Sequence, residues 1–278
     1  MITILIPTDY SKNATNAIRY ALQLTKKIPC KFIFLHGEVI PLTPTPEASL
    51  VAIEMDTELS RKELERYALN LFSELKMKII PKQVSYMVTQ AFTTSHQILE
   101  AISKSKTDLV IMGARGASNM KKILFGSTTA DVIAGATVPV ITVPESYRYA
   151  PLNFFLHASD LKNLRIELGL TLPLAMLFNA TLEVAHITDG TVSDAKLIAQ
   201  AQSIIKSRSY KKLKLYVEAV TFGQTIAKDI KLLSARHHPD MLVMFRHKHN
   251  WLGRLFFTSM TENLMYETKV PLVSFNVS

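Results

Sequence analysis

Residues 4–9 read ILIPTD and residues 155–160 read FLHASD. Each is an apolar run that ends on a hydroxyl residue followed by Asp. The likeness continues in order along the chain. FIFLHG (32–37) has a counterpart in LEVAHI (182–187), DLVIMG (108–113) in DMLVMF (240–245), and VPVITVP (138–144) in VPLVSFN (270–276). Matched segments in the same order mark an internal repeat, and a repeat decides the architecture before any single residue does. Asp9 and Asp160 are 151 positions apart, His36 and His186 are 150 apart, and Asp108 and Asp240 only 132, so the second copy is shorter by about 18 residues. The loss falls after the second strand, where the first copy carries GEVIPLTPTPEASLVAIEMD (37–56). A shortened surface loop is a cheap deletion for a fold. The boundary falls in PESYRYAP (144–151), which predicts domains over 1–146 and 151–278.

Within a copy the pattern alternates strand and helix. ITILIP is a short Ile-rich run, as expected of a strand buried on both faces. Ser11 can cap a following helix whose Ala14, Ala17, Ile18 and Ala21 share one face. KFIFLH is a second strand, and roughly residues 48–76 read as a long amphipathic helix. QVSYMVT, DLVIMG and VPVITV read as further strands, with SHQILEAISKS and STTADVIAGA as the helices between them. This alternation predicts an α/β fold: two tandem, doubly wound, parallel five-stranded sheets of Rossmann-like type.

The totals bound the function. The chain has 278 residues, 48% hydrophobic and 20% charged, ordinary for a globular protein. A single cysteine, Cys30, excludes an internal disulfide and points to a reducing, cytoplasmic setting. Cys30 reads as a buried filler, not as a catalytic thiol. The N-terminus MITILIPTDYSK does not read as a signal peptide, and no apolar run is long enough to cross a membrane. The net charge of +9 suits anionic ligands. No dense Lys/Arg run interleaved with aromatics appears, which disfavours nucleic acid as a partner.

Residues 113–127 read GARGASNMKKILFGS, with Gly113 followed by Gly116 and then by Gly126-Ser127. Gly113 and Gly116 are expected just past the end of a strand, where glycine permits positive φ and a close approach of backbone amides to an anion. Gly126-Ser127 opens a helix whose free amides and dipole attract phosphate, and Ser127 and Thr128 add hydroxyl donors. There is no GK[ST], so this is not a Walker A loop. In an open parallel sheet the ligand lies beyond the strand carboxyl ends at the topological switch point. Pro7-Thr8-Asp9 ends the first strand, and Met112-Gly113 the fourth.

PTD at 7–9, LHG at 35–37 and the Gly/Ser signature, in that order, resemble the universal stress proteins that bind ATP, and the resemblance covers nearly the whole chain as two copies. It implies that the first and fourth strands are neighbours, that Asp9 accepts hydrogen bonds from ribose hydroxyls or the base, and that Thr8 frames the base. It also implies that Met112 lines the crevice through its backbone. Gly37 stands where the family usually places a small apolar residue against adenine, a departure that leaves the base less packed. Arg115 is expected either near the phosphates or as a solvated loop residue, while Lys121 and Lys122 read as surface charge. The implied binding set is Pro7, Thr8, Asp9, Gly37, Met112, Gly113, Arg115, Gly116, Gly126, Ser127 and Thr128. The cofactor is ATP, and Mg²⁺ could bridge its phosphates, although no further carboxylate is placed to hold the ion. No catalytic residue is assigned, because nothing reads as an arginine finger or a positioned base; the resemblance implies at most slow hydrolysis.

The second copy departs from this pattern. Phe245 stands for Gly113, Lys248 for Gly116 and Thr258 for Gly126, in FRHKHNWLGRLFFTS (245–259). A ring in place of the cradle's first glycine should obstruct phosphate. Asp160 reads as a helix-entry residue, and His36 and His186 as satisfied core or crevice residues. The HxH at His247 and His249 lacks an obvious third ligand. The basic loop Arg246–Arg254 with Trp251 is a candidate partner or anion surface.

The sequence thus supports an ATP-binding stress or signalling module with one competent site, acting on a protein partner that the sequence does not name. Two alternatives stand beside it: a nucleotide-independent scaffold, and a related adenylating or nucleotidyl-transferring enzyme. The hydrophobic final strand of each copy is edge-like, and in the family it often pairs between domains. An internal pseudo-dimer through these strands is therefore expected, and a further homodimer is compatible with it.

Overall fold

Ile- and Val-rich runs alternate with helical stretches in the computed structural model, which describes residues 1–26, 28–39, 57–114, 126–247 and 269–277. The chain divides between Tyr149 and Ala150 into two compact units. The first contains β1 (Ile2–Thr8), α1 (Lys12–Leu24), β2 (Cys30–Val39), α2 (Thr57–Glu74), β3 (Val84–Ala91), α3 (Thr94–Lys104), β4 (Leu109–Gly113), α4 (Ser127–Gly135) and β5 (Val140–Val143). Its strands run parallel in the order β3-β2-β1-β4-β5. β1 pairs with β2 from Ile2↔Cys30 to Thr8↔His36 on one side, and with β4 through Ile4↔Leu109 and Leu5↔Val110 on the other. The chain winds outward from β1 through β2 and β3, then returns to β4 and β5. The switch point, where a parallel sheet opens a crevice, lies between β1 and β4.

β1 is central because its residues suit burial on both faces. Ile4, Leu5 and Ile6 are at most 1% exposed, and each such side chain contributes about 1.5–3 kcal/mol on leaving water. Ser11 caps α1 by accepting from the Ala14 amide at 3.2 Å. Ala14, Ala17, Ile18 and Ala21 are buried, as their periodicity predicts. Asn16 is also buried, and its Nδ2 donates to the carbonyls of Pro144 and Tyr147, both at 2.9 Å. That tie holds the segment after β5 to α1 and keeps it in the first unit. α2 begins at Thr57, so of the helix predicted from about 48, residues 48–56 lie outside the described residues. The Arg19–Glu74 pair at 2.9 Å has both side chains substantially exposed, so it adds little to stability.

The second unit contains β6 (Phe154–Ala158), α5 (Leu164–Leu177), β7 (Thr181–Thr188), α6 (Val192–Lys206), β8 (Leu213–Ala219), α7 (Ile226–His237), β9 (Met241–His247) and β10 (Leu272–Val277). Its strands are parallel in the order β10-β9-β6-β7-β8, the first unit's order again with β6 in the place of β1.

The repeat extends to single hydrogen bonds. Tyr10 and Leu161 both take positive φ, 59° and 63°. The Tyr10 amide donates to Thr8 Oγ1 at 3.1 Å, and the Leu161 amide to Ser159 Oγ at 3.0 Å. Asp9 Oδ1 accepts from the Ser11 amide at 3.0 Å, and Asp160 Oδ1 from the Lys162 amide at 3.1 Å. Asp108 accepts from the Thr3 amide at 2.8 Å, and Asp240 from the Asn153 and Phe154 amides at 2.8 and 2.9 Å. Each Asp of the repeat therefore satisfies backbone donors at a strand end. Among the described residues, no helix is long and apolar enough to cross a membrane.

Candidate functional site

At the carboxyl ends of β1, β2 and β4 the first unit holds a cavity of about 210 Å³. Pro7, Thr8 and Asp9 contribute from the end of β1, Leu35 and Gly37 from β2, and Met112 and Gly113 from β4. Gly126, Ser127, Thr128 and Thr129 contribute from the start of α4, Thr94, Gln97 and Ile98 from α3, and Ala14 from α1. Nine residues singled out from the sequence thus line one space. The other two, Arg115 and Gly116, lie outside the described residues, as do Lys121 and Lys122.

The wall at β1 is fixed by its turn. Thr8 is buried, and its Oγ1 accepts from Tyr10. His36 places Nδ1 2.9 Å from the Thr8 carbonyl, and its ring lies 4.5 Å from that of Tyr10. His36 therefore locks the end of β1 to β2, the satisfied role expected of it. The Tyr10 phenol is pushed up to about 12, by burial first and then by Glu63, Tyr67 and Glu38. It stays neutral and packs edge-on to Tyr67 at 5.0 Å. One oxygen of Asp9 closes the turn into α1, and the residue also lines the cavity.

The wall at α4 is electron-poor. In this unit α1 and α3 begin on hydroxyl caps, Ser11 and Thr93, whose side chains accept a helix amide. α4 begins on Gly126, which offers no side-chain cap, and its first turn carries no acidic residue. The leading amides and the positive end of the helix dipole thus remain available to an anion. Thr129 is buried and donates to the Gly113 carbonyl at 3.2 Å, which ties the helix start to the end of β4.

Gly113 is the last residue of β4 and not a turn residue beyond it. Among the described residues, positive-φ glycines are confined to Gly190 and Gly223. Gly113 is therefore not a left-handed turn residue. At Gly37, read from the sequence as leaving the base less packed, Gln97 takes the side-chain space. A Cβ built on Gly37 would fall 1.7 Å from Gln97 Oε1. Gln97, Thr94, Ile98 and Thr129 escape the sequence reading because they reach the cavity from helix faces, with no glycine or strand end to mark them.

In the second unit an aromatic side chain stands at the corresponding strand end. Phe245, in the place of Gly113, is fully buried and stacks on Phe275 at 4.8 Å and 9°. His157 sits 5.1 Å from the Phe245 ring, with Nε2 3.2 Å from Glu167 Oε2. Ser159 Oγ donates to the same carboxylate oxygen at 2.6 Å. His186 reaches the Ser159 carbonyl through Nδ1 and Asp194 Oδ1 through Nε2, both at 2.9 Å, and Thr188 donates to Asp194 Oδ2. Asp160 is buried in its turn, in keeping with a helix-entry role. Lys248, His249, Trp251, Thr258 and Ser259 lie outside the described residues. Among the described residues, no group of three or more His, Cys, Asp and Glu could hold a metal ion.

A universal stress protein family profile matches residues 1–144 and 168–275. The chain belongs to the universal stress protein family. Individual universal stress proteins of single-domain size match half of it. MJ0577 of Methanocaldococcus jannaschii is 27% identical, over 50% of this chain and 93% of its own length. YxiE of Bacillus subtilis is 26% identical, over 50% and 97%. A universal stress protein from Archaeoglobus fulgidus superposes with a TM-score of 0.70 at 18% identity, covering 99% of this chain and 98% of that one. At that identity the superposition speaks for the fold alone, and it spans both units.

Proposed function

We propose that the first unit binds ATP and that the chain is a nucleotide-dependent stress or signalling module with one competent site. The observation that carries this reading is the uncapped start of α4 facing the end of β1 across a cavity at the switch point. A nucleotide needs two unlike surroundings at once, and these residues fit both. Leu35, Ile98, Met112 and Pro7 suit a base, and Thr8 and Asp9 supply polar groups for a ribose. The amides of α4, with Ser127 and Thr128, suit phosphate oxygens. At about 210 Å³ the cavity is smaller than the roughly 300–1,000 Å³ of whole-ligand pockets. It matches the base and sugar, with the phosphates running along the α4 start. Mg²⁺ would be held mainly by the phosphates and water, its common mode.

In this reading the protein binds and orients the nucleotide, and its occupancy biases contact with a protein partner. The second unit serves as a structural copy, since Phe245 stands where Gly113 lines the cavity in the first. The test is a titration with a fluorescent ATP analogue of the wild type and of Gly116→Val. The substitution adds a branched side chain where the phosphate cradle needs bare backbone, and it is expected to weaken binding at least about ten-fold. Equal affinity in both proteins would remove Gly116 from the site.

A further inference from the structure

The amino ends of β2 and β3, at the other end of the strands from the cavity described above, frame a second cavity of about 410 Å³ in the first unit. Cys30, Phe32 and Phe72 line it and are buried. Burial pushes the Cys30 thiol up, so it stays neutral and adds to the apolar lining. Met77 and Val84 line it half-buried, and Ile80 lines it 48% exposed, which places Ile80 at the mouth. Lys26 and Lys78, both exposed, are the charged residues of the lining. The volume falls within the roughly 300–1,000 Å³ of ligand pockets. The two loops around the mouth, TKKIPCK (25–31) and LKMKIIPKQ (75–83), carry six lysines and no Asp or Glu. Glu74, next along the chain, is held by Arg19. Among the described residues, Lys26 and Lys78 enter no ion pair.

In the second unit a tyrosine spans the corresponding corner. His36 pairs with Val88 and His186 with Val217, so Leu213 corresponds to Val84, and Tyr210 to Pro81. By the same repeat Ala180 corresponds to Cys30. Tyr210 Oη donates to the Ala180 carbonyl at 2.6 Å, which carries its ring from the start of β8 to the start of β7. Lys212 Nζ donates to the Asn179 carbonyl at 2.7 Å, so the lysine of that corner is spent on closing it. Pro81 has neither the reach nor the hydroxyl for such a span, and Lys26 and Lys78 stay at the rim.

We propose that this second cavity binds a free fatty acid of medium chain length, with the tail among Phe32, Phe72, Met77 and Ile80 and the carboxylate at Lys26 and Lys78. The tail leaves water for an apolar wall, which is the favourable term. The carboxylate stays at the exposed mouth, so no charge has to be buried, and the lysines there supply the matching sign. An inorganic anion would forgo the apolar wall, and a neutral hydrocarbon would leave the lysines unused. The proposal is independent of the nucleotide reading, because the two cavities lie at opposite ends of the strands.

The experiment is calorimetric titration of the full chain with octanoate and with decanoate at low salt, below the concentrations at which they form micelles. Decanoate is expected to bind about ten-fold more tightly than octanoate, the effect of burying two further methylenes. Reversing the rim charge with Lys26→Glu and Lys78→Glu together is expected to weaken decanoate about ten-fold, and added salt to shrink that difference. Both lysines are exposed, so the fold should tolerate the change. Ile28→Trp, which enlarges a lining residue on the loop before β2, is expected to weaken decanoate through the tail instead. ATP affinity should stay within about three-fold of the wild type in every variant, a difference well under that of one tenfold step. No binding of decanoate by the wild type overturns the proposal, as does binding that both sets of substitutions leave unchanged. Binding that responds to Ile28→Trp but not to charge reversal overturns the assignment of the carboxylate to the lysines. Displacement of decanoate by ATP would put it in the other cavity and overturn the proposal as well.

Discussion

Gly126→Asp is expected to weaken ATP binding at least about 100-fold while leaving the fold as stable as before or slightly more so. Gly126 sits at φ −60° and ψ 157°, extended backbone that any residue adopts, at the N-cap of α4. Aspartate is among the best N-caps, and its carboxylate accepts from the leading amides, a gain of a few tenths of a kcal/mol over glycine. The same carboxylate puts a negative charge where the phosphates of the proposed ligand lie. Like charges set together in a binding site cost several kcal/mol, and each 1.4 kcal/mol is about ten-fold in affinity. Stability and binding should therefore move apart. If Gly126 were only a turn residue, the variant would gain its cap and bind ATP within about three-fold of the wild type. Melting temperature and calorimetric titration of the one protein separate the two accounts.

Phe245→Ala is expected to destabilise the second unit by about 3–5 kcal/mol and to create no nucleotide site. Phe245 is fully buried between Phe275 and His157. Its loss removes transfer energy, leaves a cavity and ends an aromatic stack, and buried Phe→Ala changes cost about this much. Urea unfolding, resolved by amide exchange in β9 and β10, measures the change. A loss below about 1 kcal/mol would show that the ring is not the core element described above. ATP bound by the second unit of this variant would show that the ring alone had blocked a latent site.

The strands were readable in the chain because their signals are local, whereas the adjacency of β1 and β4 came from the family resemblance. Ile4-Leu5-Ile6 and Leu242-Val243-Met244 are runs that a strand buried on both faces explains. The repeated Thr8-Asp9 and Ser159-Asp160 pairs mark the strand end that each copy turns into its helix. The strand-end residues and the Gly126-Ser127 pair that line the cavity were readable for the same reason. Gln97 was not. It faces the cavity from a helix whose pattern reads as ordinary amphipathic sequence, and its partner Gly37 lies 60 positions away. The bare Gly37 was the available signal, since a missing side chain beside a ligand space must be filled by something. The sequence leaves that something unnamed, because only tertiary packing brings α3 over β2. Thr129 was passed over for a similar reason: helical rotation, not proximity to Gly126, aims it at the Gly113 carbonyl.

The most direct test of the account is the stoichiometry of ATP binding to the intact chain by isothermal titration calorimetry in the presence of Mg²⁺. The account predicts one ATP per chain, with binding lost in Gly126→Asp. Two ATP per chain, or none at millimolar concentration, would contradict it.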